Sequence, residues 1–451
     1  MCRYDDRNFT HAHSPYVTHP TVIARTPSES PVRRAPSRRE TRTDIGAAFA
    51  LVYRTVPPWE EALLARGTRW GRGFVVPGES DHRRVRVGVV GVGKMGLSHL
   101  AIVRALKDVE LVGVVDATDY LLDILNKYTG AATFSSVEKM LDEAKPEAIL
   151  IATPTGSHAE LVRTALDRGV HVFCEKPLTL SSAESAELSA IAATRGLVAQ
   201  VGYHNRFIAT FQEVKRLLDL SAIGRVTHVL AEAYGPVVLK PKGSTWRSKR
   251  TTGGGCLYDY AAHPLDLVQW YLGSPQRVRG SVLNSIFSTD TDDEVYSTLE
   301  YADGASVQLS VNWSDDSFRK MSTSITISGS QGRIVADRQE LRVYLREGAD
   351  IPEGYRAGWN ISYTTDLTEQ VSFYLRGEEY SAQLESFVAA VGAGEKQARQ
   401  NSFTSASETD RVIEWILQDS AAPAVTAGAQ PVAAGAAPAP KRGLFKRGKR
   451  A

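Results

Sequence analysis

Two short stretches of the sequence carry side chains that could move a proton or hold a polar oxygen. Lys176 lies between an apolar run and Pro177, at the predicted end of a strand, where a cation can polarise a ligand's hydroxyl or carbonyl oxygen. Asp259 and His263 are four residues apart in GGGCLYDYAAHPLDL, so they share one face of a predicted helix. The carboxylate can orient the imidazole and stabilise its protonated form, and histidine suits proton acceptance near neutral pH. Taken alone, Lys176 also fits an ordinary surface lysine, and Asp259 with His263 also fits a structural hydrogen bond.

Pro264 follows the histidine directly, inside the same predicted helix. Proline in a helix interior costs about 3 kcal/mol or more, so the sequence predicts a kink there that re-aims His263. Tyr260 and Asp266 are the candidates for supporting contacts around this group.

A glycine-rich turn, G-x-G-x-x-G, joins a β-branched strand to a helix in VRVGVVGVGKMGLSHL. Gly91 permits the tight turn, Gly93 lets a pyrophosphate approach the backbone, and Gly96 lets helix and strand pack closely. The first amides of the helix then face the phosphate. A second apolar run, 110–115, ends in Asp116, where an acid can accept hydrogen bonds from an adenosine ribose. This order of parts predicts dinucleotide binding.

The elements around these residues divide the chain into two predicted domains. From residue 85 to 203, short apolar runs alternate with amphipathic segments, which predicts an α/β Rossmann domain with a doubly wound parallel sheet. From residue 204 to 420 the pattern predicts an α+β domain with a large, mostly antiparallel, open sheet. Because a free apolar sheet face usually meets a partner subunit, we expect a homodimer or homotetramer formed through this sheet.

Both ends of the chain have compositions unsuited to a packed core. Residues 1–84 begin with a stretch rich in Arg, Ser, Thr and Pro, and we predict a disordered or poorly defined extension. Residues 421–451 form an Ala/Pro-rich linker and a basic tail, which are also predicted to be disordered. Neither end is assigned a function.

Composition narrows the class of protein. The chain has 451 residues, 43% of them hydrophobic, which is enough for two or three domains with large cores. Basic residues concentrate at the two ends and leave an acidic middle, so no nucleic-acid partner is expected. Cys2, Cys174 and Cys256 form no C-x-x-C pair, and neither a disulfide framework nor a metal site is expected. The sequence has no continuous apolar segment long enough to span a membrane and no pattern typical of a secretory signal peptide. We therefore expect a cytoplasmic location and no membrane contact.

Five motifs together resemble the glucose-fructose oxidoreductase and inositol dehydrogenase (Gfo/Idh/MocA) family. They are GVVGVGKMG, IATPTGSHAEL, FCEKPLTLS, VGYHNRF and GGGCLYDYAAHPLDL, in the family's order and spacing over residues 85–418. The resemblance implies an enzyme, an NAD(P)-dependent oxidoreductase that transfers hydride between a CH–OH carbon of a sugar, nucleotide-sugar or cyclitol and the nicotinamide. It also implies that His263 takes the hydroxyl proton, Lys176 holds the oxygen and Asp259 completes the catalytic group.

The glycine turn and the side-chain types predict part of two sets of binding residues, and the family resemblance implies the rest, including Thr153, Pro154, His158 and Glu175 at the cofactor. The residues expected to bind the cofactor are Gly91, Gly93, Lys94, Met95, Gly96, Asp116, Thr153, Pro154, His158, Glu175 and Lys176. The residues expected to bind the substrate are Lys176, Tyr203, Asn205, Arg206, Trp246, Arg247, Asp259 and His263.

The expected cofactor is NAD, with NADP as the alternative, and the expected partner is a small polyol or sugar. The Asp116 carboxylate would repel the 2'-phosphate of NADP, and Ala117 follows it. Two other functions stay open at this point. One is a redox-neutral glycosidase or epimerase that retains its NAD, and the other is a non-catalytic sugar or cofactor sensor on the same fold. The sensor is less favoured, because the three predicted catalytic side chains are all present.

Overall fold

A computed structural model describes residues 83–239 and 245–422 of the protein. The predicted N-terminal extension and C-terminal tail lie outside the described residues, except for residues 83–84 and 421–422. The predicted domain limits stay predictions. Within the described part of the chain, no helix combines the length and the apolar composition that a membrane span requires.

Six short strands form a parallel sheet in the order β3-β2-β1-β4-β5-β6. They are β1 (Val85–Val90), β2 (Val109–Val115), β3 (Thr133–Phe134), β4 (Ala148–Ile151), β5 (His171–Cys174) and β6 (Ala199–Val201). The strand order reverses between β1 and β4, so the carboxyl ends of these strands flank the crevice in which such sheets bind ligands. The predicted doubly wound Rossmann sheet is confirmed.

Five helices connect these strands. They are α1 (Lys94–Ala105), α2 (Asp119–Thr129), α3 (Val137–Glu143), α4 (His158–Asp167) and α5 (Ser182–Arg195). Helix α5 illustrates how the sequence sets a helix's limits. The Ser181 hydroxyl accepts a hydrogen bond from the Glu184 amide at its start, and Gly196 takes a left-handed conformation at its end.

A second sheet has eight strands in the order β14-β13-β12-β11-β7-β10-β9-β8. They are β7 (Val226–Tyr234), β8 (Arg277–Asn284), β9 (Glu294–Glu300), β10 (Ser306–Asn312), β11 (Ser322–Gly329), β12 (Gly332–Asp337), β13 (Glu340–Leu345) and β14 (Gly358–Tyr363). Only β7 and β10 pair in parallel, which confirms the mostly antiparallel sheet. The edge strand β14 was not predicted, because its residues alternate between half-buried and exposed and present no buried apolar face.

The remaining helices pack on this sheet and return to the first one. They are α6 (Ala209–Asp219), α7 (Ala262–Leu272), α8 (Thr364–Leu367), α9 (Glu378–Gly392) and α10 (Phe403–Ala421), with a π-helical segment at Leu257–Ala261. Helix α10 packs against α5 and α7. Helix α9 packs against α1, and its Phe387 ring lies 5.9 Å from the Phe173 ring of β5. The last two helices therefore tie the second sheet to the first.

The core is organised around the two faces of the parallel sheet. Alternate residues of β4 enter different apolar clusters: Ala148 and Leu150 pack with the α1 side, whereas Ile149 and Ile151 pack with α4. The second of these clusters continues into the second sheet, where Trp313 is 1% exposed. Full burial of each large apolar side chain stabilises the fold by about 1.5–3 kcal/mol. One continuous apolar cluster therefore holds the two sheets in a fixed relation.

Large apolar side chains stand on the outer edge of the second sheet. Tyr344, Trp359, Ile361 and Tyr363, on β13 and β14, are each between 38% and 55% exposed. Exposed groups of this kind often mark subunit contacts. The predicted homo-oligomer through this sheet stays a prediction.

Candidate active site

The glycine turn has the geometry that its sequence predicts. Gly91, directly after β1, has a φ of +87°, a left-handed conformation that favours glycine. A Cβ at Gly96 would collide with the Gly91 carbonyl oxygen, so this glycine lets α1 begin directly against the turn. At Gly93 a Cβ would meet nothing within 4 Å, so the backbone there is open to a ligand.

Asp116 follows β2 and holds the turn from the side. Its Oδ2 accepts a hydrogen bond from the Val92 amide at 2.7 Å, and its Oδ1 accepts one from the Thr118 amide at 2.9 Å. Each carboxylate oxygen keeps a second lone pair, so the group can still accept ribose hydroxyls.

A cavity of about 1380 Å³ connects this turn with the segment around Asp259. It exceeds the roughly 300–1,000 Å³ of ordinary small-molecule pockets, as a dinucleotide with a second ligand would require. The predicted residues that line it are Gly91, Gly93, Lys94, Met95, Asp116, Thr153, Pro154, Glu175, Lys176, Trp246, Arg247, Asp259 and His263.

Lys176 follows β5, at the carboxyl edge of the parallel sheet, and its ammonium reaches the π-helical segment. The Nζ atom donates to the backbone oxygen of Asp259 and to its Oδ1, both at 2.8 Å. An ammonium has three donors, and the described residues supply acceptors for two of them, so one N–H is left for a ligand in the cavity. The side chain is only 13% exposed, which strengthens its interaction with a ligand's oxygen.

Asp259 is shared between two cations. Its Oδ2 accepts a hydrogen bond from Arg247 Nε at 2.8 Å, opposite the bond from Lys176, and the Arg247 guanidinium stacks 4.5 Å above the Trp246 ring. Burial alone would raise the pKa of Asp259, but the charges of Lys176 and Arg247 hold it below its ordinary range. The carboxylate is therefore ionised and keeps both cations in place.

His263 does not receive the carboxylate contact that its spacing from Asp259 predicts. Residues Leu257–Ala261 are π-helical, which changes the angular relation between the two side chains. The kink predicted at Pro264 stays a prediction, and Pro264 lies in the first turn of α7 (Ala262–Leu272), where proline is tolerated. The predicted pairing is therefore wrong, and the Asp259 carboxylate bonds Lys176 and Arg247 instead.

The His263 imidazole lies among aromatic rings. The His204 ring is 4.9 Å away and the Tyr203 ring 6.4 Å away, and its buried Nδ1 has no hydrogen-bond partner among the described residues. Burial, followed by the charges of Lys176 and His204, lowers the pKa of His263 well below its ordinary value. The imidazole is neutral near pH 7 and is able to accept a proton, which is the opposite of the stabilised imidazolium predicted from the sequence.

Three predicted substrate-binding residues are not part of the cavity lining. Arg206 is 4% exposed and bonds both oxygens of Asp266, at 2.6 and 2.8 Å. Tyr203 is fully buried with its hydroxyl unpartnered among the described residues, and Asn205 is 3% exposed. These side chains belong to the core because α6, α7 and α9 pack against the segment that contains them. Asp266, predicted as a supporting residue, is the partner of Arg206.

Two predicted cofactor residues position the site without lining it. His158 is 1% exposed, and its ring nitrogens lie 3.0 Å from the Thr153 and Pro177 carbonyl oxygens. It therefore joins the loop after β4 to the loop after β5. Gly96 acts through its packing against Gly91, as described above.

The sequence reasoning missed one buried residue that contacts the cavity lining and three residues that line the cavity. His99 of α1 lies 2.6 Å from Glu175 Oε1, and this contact helps keep the carboxylate charged. Burial favours neutral Glu175, but the hydrogen bond and charge of His99, and then Lys176, lower its pKa. Arg338, Arg376 and Tyr380 reach the same cavity from the second half of the chain. The presence of a histidine on the predicted helix after the glycine turn was a signal that could have pointed to the His99–Glu175 contact. No local sequence pattern marked Arg338, Arg376 or Tyr380.

The residues present fit a dinucleotide. The open backbone at Gly93 and the first amides of α1 suit a pyrophosphate, and the Asp116 carboxylate suits a ribose. At the other end, Lys176 and His263 flank the space that a nicotinamide and a second ligand would share. The fold and the site together define an NAD-binding oxidoreductase.

Comparison with known protein families agrees with that class. Residues 85–203 match the oxidoreductase family with an NAD-binding Rossmann fold, GFO_IDH_MocA, and residues 211–335 match the GFO/IDH/MocA C-terminal domain. The chain belongs to the Gfo/Idh/MocA family of oxidoreductases, as its motifs predict.

Similar proteins include dehydrogenases of sugars and inositols. Inositol 2-dehydrogenase of Rhizobium meliloti (strain 1021) is 27% identical over 69% of this chain and 89% of its own length. Glucose-6-phosphate 3-dehydrogenase of Bacillus subtilis (strain 168) is 28% identical, but the match covers only 47% of this chain and 61% of that protein. The solved structure of levoglucosan dehydrogenase in complex with NADH superposes with a TM-score of 0.66 at 22% identity, over 75% of this chain and 97% of that one. The last likeness shows the shared fold.

Proposed function

We propose that the chain is an NAD-dependent dehydrogenase that oxidises a CH–OH group of a sugar, nucleotide-sugar or cyclitol. The observation that carries the proposal is the meeting of Lys176, Asp259 and a neutral His263 at one end of the dinucleotide-sized cavity. The names of the similar proteins, an inositol 2-dehydrogenase and a glucose-6-phosphate 3-dehydrogenase, support the same substrate class.

Each of the three side chains has a distinct role in this proposal. The free N–H of Lys176 holds the substrate oxygen and stabilises negative charge that develops on it. His263 accepts the hydroxyl proton, since its imidazole is neutral near pH 7 and lines the same end of the cavity as Lys176. Asp259 fixes the Lys176 ammonium through two hydrogen bonds and does not itself take a proton. The nicotinamide supplies the hydride acceptor when it is bound.

The substrate end of the cavity has the surface expected for a polyol. Trp246 offers an aromatic face against the C–H side of a ring, and the Tyr260 side chain lines the cavity nearby. Arg247 bonds Asp259 through its Nε, and among the described residues its other guanidinium nitrogens have no hydrogen-bond partner, so they are available to substrate hydroxyls.

The Asp116 carboxylate favours NAD over NADP. Its two amide hydrogen bonds hold the negative charge at the position expected for the adenosine ribose, where a 2'-phosphate would be repelled. A Lys or Arg that could offset this repulsion does not follow it, since the next residues are Ala117 and Thr118.

A spectrophotometric screen tests this proposal. The purified full-length chain is mixed with NAD or NADP and a panel of cyclitols, aldoses and nucleotide sugars, and the formation of reduced nicotinamide is followed. We expect a substrate-dependent rise with NAD for at least one polyol. Tight NAD binding without any rise would contradict the dehydrogenase and support the redox-neutral enzyme or the sensor.

A further inference from the structure

A cationic side chain reaches the cofactor end of the cavity from the second half of the chain. Arg376 lies just before α9, lines the cavity, and places Nη1 3.3 Å from the Ser98 hydroxyl of α1. Its guanidinium also lies 5.4 Å from the centre of the Tyr380 ring. Among the described residues, no carboxylate forms a salt bridge with Arg376, whereas the neighbouring Arg338 is paired with Glu379.

The backbone holds Arg376 in an unfavourable conformation. Its φ is +67°, in the left-handed region that residues with a Cβ rarely adopt. The next residue is Gly377, where a Cβ would collide with the Arg338 guanidinium and the Glu379 carboxylate. Strain of this kind persists only where the surroundings enforce it, and such residues concentrate at ligand sites.

The position of Ser98 relates Arg376 to a particular ligand group. The Ser98 hydroxyl donates to the Lys94 carbonyl at 3.1 Å, so it lies one helical turn, about 6 Å, from the start of α1. The first amides of α1 and the open backbone at Gly93 are the groups that suit a pyrophosphate. The Arg376 guanidinium therefore contacts the first turns of α1, the helix at whose start the dinucleotide's phosphates would sit.

We propose that Arg376 is an anion-binding arm that contacts the phosphate groups of the bound dinucleotide. A guanidinium forms paired hydrogen bonds with phosphate oxygens, and Arg376 has donors left beyond its contact with Ser98. The arm links the second half of the chain to cofactor binding. This inference depends on dinucleotide binding and not on the reaction of the proposed dehydrogenase.

Calorimetric titration of the full chain with NADH, ADP and adenosine tests the arm. ADP carries two linked phosphates, whereas adenosine has the same base and ribose without them. We expect Arg376→Gln to weaken NADH and ADP binding by about tenfold or more and to leave adenosine binding unchanged. Arg376→Lys, which keeps the charge without the paired donors, should lose less affinity, and the salt dependence of ADP binding should fall in Arg376→Gln.

Ser98→Ala is the matched control, because it removes the partner of Arg376 and leaves the cation. If Arg376 served only to tie α1 to the loop before α9, both variants would lower the melting temperature equally and ADP binding would change in neither. That result would overturn the proposal, as would an equal loss of ADP and adenosine affinity.

The anion that Arg376 binds could also be a carboxylate or phosphate group of the substrate. The NADH complex is therefore titrated with glucuronate and with glucose. A loss confined to glucuronate in Arg376→Gln, with ADP affinity unchanged, would assign the arm to the substrate and overturn the cofactor assignment. A wild-type chain that bound neither NADH nor ADP would overturn the cofactor site as a whole, independently of any turnover measurement.

Discussion

Two buried ion pairs link the parallel sheet's loops to the helical segment 257–272, and they differ in what surrounds them. Lys176 bonds Asp259 at 2.8 Å, with side chains 13% and 7% exposed. Arg206 bonds Asp266 at 2.6 Å, with side chains 5% and 1% exposed. The first pair lines the cavity and keeps a free donor. The second is enclosed by the core, where Arg206 also bonds Ser405 at 2.8 Å.

The difference shows that charge and sequence position do not distinguish the ion pair that we propose to be catalytic from the one enclosed by the core. Both cations follow strands at the same edge of the sheet, and both carboxylates lie on one helical segment. What differs is whether a donor stays unpaired and faces a space that a ligand can enter. The predictions below test this distinction.

The largest expected effect is on turnover, in Lys176→Met. Loss of the ammonium removes the group that holds the substrate oxygen, so we expect kcat/KM to fall on the order of 10²–10⁴-fold. The affinity for NADH, measured by calorimetry, should change little. Lys249→Met is the matched control, because Lys249 is exposed and lies outside the cavity lining. Equal losses in both variants would contradict the assigned role.

The next largest effect is on stability, in Arg206→Met. This change leaves Asp266 buried without its cation, and we expect the free energy of unfolding in urea to fall by about 3–5 kcal/mol. Folded Arg206→Met should keep its kcat, since Arg206 does not line the cavity. The double variant Arg206→Met/Asp266→Leu should recover most of the stability. A specific loss of substrate affinity in stable protein would instead restore the sequence-based assignment of Arg206 as a substrate ligand.

A smaller effect on turnover is expected for Arg247→Gln. The variant removes one of the two cations that hold Asp259 ionised, and we expect kcat/KM to fall by about tenfold. Because the pKa of Asp259 would rise towards its ordinary range, the acidic limb of the pH profile should move to higher pH. An unchanged profile would show that Lys176 alone sets the state of the carboxylate.

The smallest expected effect is a pH dependence of stability that comes from Asp410, a buried carboxyl group close to the Arg206–Asp266 pair. Burial, opposed by hydrogen bonds from Ser185 and Thr179, raises the pKa of Asp410 from 3.8 to about 7. Between these two values the folded chain keeps a proton that the unfolded chain releases, so wild-type stability falls as the pH rises. Asp410→Asn lacks this ionisation.

Urea midpoints of the wild type and Asp410→Asn, measured from about pH 4 to about pH 8, check this prediction. The variant's stability relative to the wild type should increase up to about pH 7 and then stay constant. A stability difference between the variant and the wild type that does not change with pH would show that Asp410 does not hold a proton in the folded protein between about pH 4 and about pH 7.

The parts of the site that could be predicted from the sequence are local. The three glycines and Asp116 act through backbone geometry within one strand-turn-helix unit and the next strand, so their spacing carries the information. Lys176 was found for the same reason, since the end of a parallel strand defines its place.

The parts that could not be predicted depend on helix register and on distant packing. The spacing of Asp259 and His263 was interpreted with α-helical geometry, but residues Leu257–Ala261 are π-helical. Arg206 was taken as a ligand because nothing near it in sequence shows that it bonds Asp266 of α7 and Ser405 of α10. Arg376 follows Lys176 by 200 positions, so only the packing of α9 on α1 brings it to the cavity.

The most direct test of the central claim is the fate of a deuterium atom on the substrate. A ring-deuterated sugar or cyclitol that is active in the screen is incubated with the enzyme and NAD, and both products are analysed by mass spectrometry. The account predicts deuterium in the reduced nicotinamide with the wild type and almost none with Lys176→Met. Deuterium that appears in solvent or stays in the substrate while product accumulates would contradict direct hydride transfer at this site.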